Sequence, residues 1–177
     1  MPSPLRTIVV RDSTPAEHPA IAELTLLVYR EYAALMTPSA WAELEQAVHG
    51  ALATTEDVDR IVAERDGRIV GSVMLFPPTS DAYGGRAAPP AFPELRVLAV
   101  DPSERGNGVG RRLVDECIRR ARARGHASLG LHTSASMRTA RDLYVRMGFT
   151  RAPEHDFRPD GAELVEGYLL QLAREQR

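Results

Sequence analysis

The stretch from Glu94 to His132 constrains the fold more than any other. An apolar run rich in β-branched residues, Glu94-Leu-Arg-Val-Leu-Ala-Val100, is stopped by Asp101-Pro102 and followed by the glycine-rich segment Arg105-Gly-Asn-Gly-Val-Gly110. Apolar residues then recur at Leu113, Val114, Cys117, Ile118 and Ala121, the spacing of one helical face, and Gly125 stops the helix. Ala127 to His132 reads as the next strand. Strand, glycine loop, helix and strand in this order imply two parallel strands joined by a right-handed crossover.

Other elements gather around that unit. Thr7 to Arg11 reads as a strand. Thr14-Pro15-Ala16-Glu17 has the form of a capping box, although Pro19 offers a second helix start. Ile21, Leu24, Val28, Tyr32 and Leu35 share one helical face; after a second cap at Thr37-Pro38, Trp41, Leu44, Val48 and Leu52 form another. Asp59 to Arg65 and Arg68 to Phe76 flank Asp66-Gly67, a strong two-residue hairpin turn. Pro77 to Pro93 is a loop with five prolines, and a loop this long inside a compact domain is either functional or disordered. Ser136 is placed to cap a helix whose buried face is Ala140, Leu143, Tyr144 and Met147; Gly148 ends it, with Phe149 packing back, and Gly167 to Leu172 reads as a last strand. The predicted fold is a single α/β domain over 1–177, with a mixed antiparallel and parallel sheet and helices on both faces.

Composition removes several function classes. Arginine is the only strong base: 22 basic side chains stand against 24 acidic ones, with no lysine anywhere, and the net charge of −2 predicts neither nucleic-acid nor membrane partners. Cys117 is the only cysteine, so no intrachain disulfide can form, and its place on an apolar helical face reads as core. No Cys/His pattern calls for a metal. Residues 1–6 lack a basic segment followed by an apolar one, and no apolar run reaches the length of a membrane span, so a cytoplasmic protein is expected.

The glycine loop carries the chemistry. Glycines before a helix let the backbone approach an anion, and the free N–H groups of the first turn hold it. A dinucleotide fingerprint fails, because counting from Gly106 its third glycine falls on Arg111. A phosphate loop of the Gly-Lys-Ser/Thr kind fails for want of lysine. What remains, Arg-x-x-Gly-x-Gly, is by itself either a phosphate cradle or a tight turn.

With its flanks, this segment resembles the GNAT superfamily of N-acetyltransferases. The resemblance rests on Glu94 to Leu113 and on a second motif, Ala140-Arg-Asp-Leu-Tyr144-Val-Arg-Met-Gly148-Phe149, at the family's usual separation. It implies acetyl-CoA as cosubstrate and no metal. Backbone groups of Arg105, Gly106, Asn107, Gly108, Val109, Gly110 and Arg111 would hold the pyrophosphate. The strand at Leu98, Ala99 and Val100 would splay from its neighbour and pair with the pantetheine arm like an added strand. Tyr144 is the implied acid for the departing thiolate and Glu94 the implied base, directly or through a water; a backbone N–H near Val100 is the implied oxyanion donor. Met137 stands where family members often carry Asn.

The implied reaction is direct attack of a primary amine, on a small molecule or a peptide, with no covalent enzyme intermediate. Tyr29, Glu31, Tyr32 and Trp41 from the first helices, with Tyr83, Phe92 and Phe157, are expected near the acceptor. His132 reads as a structural histidine, and the Arg119, Arg120, Arg122 and Arg124 cluster as a solvated helix face. The alternative function is a non-catalytic acyl-CoA sensor or interaction module of the same fold. An exposed edge strand leaves a homodimer open.

Overall fold

The computed structural model describes residues 7–81, 83–85, 87–160 and 162–172. Residues 1–6, read above for a targeting segment, lie outside them. The strands are β1 (Val9–Asp12), β2 (Asp59–Arg65), β3 (Arg68–Phe76), β4 (Glu94–Val100), β5 (Ser128–Thr133), β6 (Thr150–Arg151) and β7 (Glu166–Gln171). They form one sheet in the order β1-β2-β3-β4-β5-β7-β6. All neighbours are antiparallel except β4 and β5. The helices are α1 (His18–Tyr29), α2 (Pro38–Leu52), α3 (Val109–Ala123) and α4 (Arg138–Arg146).

Side-chain alternation along β3 assigns the helices to faces. Val73 and Leu75 join Leu113, Val114 and Cys117 of α3 and Tyr144 of α4 in one core. Met74 and Phe76 join Val48 and Ala51 of α2 in a second core on the other face. The mixed sheet with helices on both faces is therefore as expected.

Local signals explain most boundaries. Asp66 and Gly67 both have positive φ, 53° and 75°, as the tight hairpin turn requires. Both starts foreseen for the first helix are used: Thr14 and Glu17 close a capping box around a 3₁₀ turn, and α1 follows from His18. The α-helical period then ends at Tyr29. Arg30 to Leu35 tighten into a 3₁₀ turn, so Leu35 leaves the face assigned to it and is 64% exposed. Thr37 caps α2 by accepting from the Ala40 N–H at 3.3 Å. Ser136 does not cap α4, which starts one residue later behind Met137 with no side-chain cap. α4 ends in a Schellman motif: the Phe149 N–H donates to the Tyr144 carbonyl at 3.0 Å and the Gly148 N–H to that of Val145 at 3.1 Å. The Phe149 ring packs edge-on against Tyr144, which fixes that tyrosine.

Two irregularities position the site. Ser72 faces Ala99 while Met74 faces Arg96, so Val97 and Leu98 together oppose Val73 in a β-bulge. Val97 takes a φ of 50°, a conformation that costs a β-branched residue about 1–3 kcal/mol. The second irregularity is that β4 pairs with β5 only at Glu94 and Gly130, beside a hydrogen bond from the Gly130 N–H to the Pro93 carbonyl at 2.9 Å. Gly130 is needed there, because a Cβ would overlap the ring of Phe92. Beyond this point the two strands separate.

Candidate active site

The separation leaves β4 without a neighbour on one edge from Arg96 to Val100. Leu98 and Val100 turn toward the α3 side and Ala99 is buried, so these three residues offer the gap backbone rather than side chains. Asp101 follows, accepting from the Ser103 N–H at 2.9 Å, and Glu104 anchors the turn through Arg65 at 2.5 Å and Arg68 at 3.1 Å. Gly106 and Gly108 both take φ of 78° with open space where a Cβ would stand. Their requirement is thus conformational rather than steric. Gly108 is the N-cap of α3 and no side chain caps the helix. The first-turn N–H groups are therefore presented outward, as an anion site needs. Val109 is 2% exposed, its side chain in the core, so it too contributes only backbone.

The flanking arginines are less free than the sequence suggested. Arg105 pairs with Glu31 at 2.9 Å, tying the loop to the segment after α1; Arg111 lies 3.7 Å from Asp115. In the α3 cluster, Arg119 and Arg120 bond Glu116, Arg120 also meets Asp12 and Asp59, and Arg124 meets Asp59. The Arg119 hydrogen bond, with Arg120 behind it, holds Glu116 down at about 2.

On the other face of the bulge lies a cleft of about 380 Å³. Tyr29, Leu44 and Val48 form one wall, and Tyr83 and Phe157 face them from the 77–93 loop and the segment before β7. The bulge places Arg96 and Val97 consecutively on the floor. Of the other acceptor-side residues expected, Tyr32 stacks edge-on against Tyr29, Glu31 is engaged by Arg105, and Phe92 sits under His155. Glu31, Tyr32, Trp41 and Phe92 are not among the cleft-lining side chains.

Glu94 stands where β4 and β5 part, 1% exposed and not in the cleft lining. Neither carboxylate oxygen has a hydrogen-bond partner of ordinary geometry, yet Oε1 is 3.0 Å from Nδ1 of His132. The same Nδ1 is 2.9 Å from the Tyr83 hydroxyl, and Nε2 is 2.8 Å from the His155 carbonyl oxygen. The Arg96 guanidinium lies 3.8 Å over the Tyr83 ring. Burial pushes the Tyr83 phenol up, and the Glu94 charge adds to this. Tyr144 is 5% exposed, and burial likewise holds its phenol well above the ordinary value. Cys117 is fully buried with its thiol pushed up, as a core residue should be.

Residues 24–149 match the acetyltransferase (GNAT) family. The chain belongs to the GNAT acetyltransferase family. An IAA acetyltransferase from Azospirillum brasilense is 33% identical over 109 residues, which cover 61% of this chain and 65% of that protein. A GNAT-family acetyltransferase from Staphylococcus aureus superposes with a TM-score of 0.67 at 18% identity, over 94% of this chain and all of that one. A GNAT-family acetyltransferase from Brucella melitensis, solved in complex with acetyl-CoA, gives 0.60 at 20% identity over 97% and 92%.

The gap and the loop have features that suit acetyl-CoA. An unpaired strand edge suits the amides of an extended arm, and an uncapped helix start suits a pyrophosphate. The hydroxyls of Thr133 and Ser134, at the end of β5, are buried beside the cleft without partners. Among the described residues no three His, Cys, Asp or Glu gather to hold a metal ion, and no helix is long and apolar enough to cross a membrane.

Three features of this candidate site were not expected as functional from the sequence. His132, read as structural although its place at a strand end also allowed a substrate contact, lines the cleft and touches Glu94. Arg96 could have been noticed as a charge inside an otherwise apolar strand. The bulge at Val97 had no signal, since the local sequence there is good strand sequence.

Proposed function

We propose that residues 1–177 form one N-acetyltransferase domain, which moves an acetyl group from acetyl-CoA to a primary amine of a small molecule or peptide. The observation that carries this reading is the parting of β4 and β5 directly after Glu94, with the glycine loop at the far end of the same strand. Acetyl-CoA would supply the activated acetyl group. Backbone groups of Leu98 to Val100 would align its arm, and those of Arg105 to Arg111 its pyrophosphate. Glu94 supplies the negative charge that draws a proton from the acceptor nitrogen, which attacks directly. Tyr144 keeps its proton through the working pH range and donates it toward the departing sulfur. A backbone N–H near Val100 meets the developing oxyanion. No covalent enzyme intermediate is invoked, which accords with the burial of Cys117. The reading is of a cytoplasmic, metal-independent enzyme; a homodimer on a sheet edge, β1 or β6, is the assembly it admits.

Release of free thiol from acetyl-CoA should be followed against a panel of primary amines: polyamines, arylalkylamines, amino acids, aminoglycosides and peptide N-termini. Amine-dependent release at least tenfold above hydrolysis is expected with one class. Tight acetyl-CoA binding with no release across the panel would support the sensor reading instead.

A further inference from the structure

We infer that Tyr83, on the 77–93 loop, takes the proton from the acceptor amine and hands it to His132, whose charge Glu94 then holds. This rests on the acetyltransferase reading above. Glu94 is sealed from the cleft, whereas Tyr83 and His132 both line it. A carbonyl can only accept, so the 2.8 Å contact with the His155 oxygen puts a proton on Nε2 of His132. In the neutral ring Nδ1 is then an acceptor, and the Tyr83 hydroxyl at 2.9 Å donates to it. Both ring nitrogens are thereby committed to protein groups. The hydroxyl of Tyr83 is what remains to meet an acceptor.

Deprotonation of the ammonium before attack closes without any charged tyrosine, and the nitrogen's second proton, shed after attack, replaces the one that Tyr144 gives to the sulfur. The acceptor nitrogen releases one proton to the Tyr83 oxygen as the Tyr83 O–H passes its own to Nδ1; the tyrosine ends neutral and His132 becomes an imidazolium. Its new Nδ1–H faces Glu94 Oε1 at 3.0 Å, so a lone pair set against a carboxylate becomes an ion pair. Burial opposes a free tyrosinate at Tyr83, which favours simultaneous exchange over a stepwise one. The other charged groups facing the network act in both directions. Arg96 lies over the Tyr83 ring and eases electron density onto its oxygen. The Asp156 charge is coupled to His132. Asp81, Glu43 and Glu163 line the cleft and favour a cationic acceptor.

The test is Tyr83→Phe, which keeps the ring contacts with Arg96 and Phe157 and removes only the hydroxyl. With phenethylamine, protonated at neutral pH, kcat/KM is expected to fall about 100-fold. With methoxyamine, largely unprotonated at the same pH, it should fall less than about threefold. In parallel, ring ¹⁵N NMR of the unliganded protein should find His132 protonated at Nε2, with the Nδ1 resonance moving in both Tyr83→Phe and Glu94→Gln. Equal losses with both amines, or a His132 ring protonated at Nδ1 alone, would overturn the relay. If the wild type acetylates neither amine nor any in the wider panel, the acetyltransferase reading fails first and the relay with it.

Discussion

On one side of the β4–β5 gap, every residue proposed to hold acetyl-CoA comes from a single run, Leu98 to Arg111. On the other, Tyr29, Leu44, Tyr83, His132 and Phe157 converge from separate stretches of chain. The first wall is built by local rules: a strand, a proline turn, left-handed glycines and a helix start. It offers mostly backbone, which any sequence able to take that path can supply. The second wall is built by tertiary contacts between side chains and reads acceptor chemistry. A cosubstrate wall made of backbone can stay constant while the acceptor wall changes residue by residue.

If the two walls are separable, substitutions should split cleanly between them. The largest effect is expected at the apex: Glu94→Gln should lower kcat by about 100- to 10,000-fold, with acetyl-CoA affinity by calorimetry unchanged within about twofold. A parallel loss of affinity would mean that the walls are one unit. Tyr144→Phe should lower kcat by about 10- to 100-fold, less because a thiol of pKa about 8.5 already leaves fairly well. Since burial holds this phenol above its ordinary value, the wild-type rate should not lose an acid as pH approaches 10.

Gly108→Val tests the backbone wall alone. A side chain at φ of 78° costs roughly 1–2 kcal/mol, so the Kd for acetyl-CoA should rise as the loop relaxes, while the Kd for acceptor does not. The smallest effect is expected beside the acceptor wall, at the residue before Phe157. Asp156 bonds Arg151 and the Gly167 N–H, and the Arg151 bond lowers its carboxyl to about 2. A carboxyl lowered on folding stabilises the fold above its unfolded value, near 4, and loses that contribution as pH falls through about 2. Thermal unfolding from pH 5 to 2 should therefore decline less steeply in Asp156→Asn than in the wild type.

The same division governed how much could be read beforehand. β2, β3 and β4 run between the expected residues because Asp66-Gly67 and Asp101-Pro102 mark their ends within the sequence itself. Leu35 and Ser136 went astray where the chain tightens to 3₁₀ or starts a helix one residue late, choices made by packing rather than propensity. Glu94 and Tyr144 were proposed as base and acid on resemblance. The network beside Glu94 was not foreseen, because Tyr83, His132 and the His155 carbonyl meet only once the loop, β5 and the turn before β7 are folded together. Val97 stayed hidden because a β-branched residue with positive φ contradicts its own preference.

The most direct test of the account is thermal unfolding of the purified protein with acetyl-CoA, CoA, NAD or ATP. Ligand at 100 times its Kd adds about 2.7 kcal/mol, a rise of roughly 5–10 °C for a chain of this size. The account predicts that rise with acetyl-CoA and CoA and none with NAD or ATP. No rise with either CoA species, confirmed by calorimetry, would mean that Arg105 to Gly110 is only a turn and that the parting of β4 and β5 serves some other end.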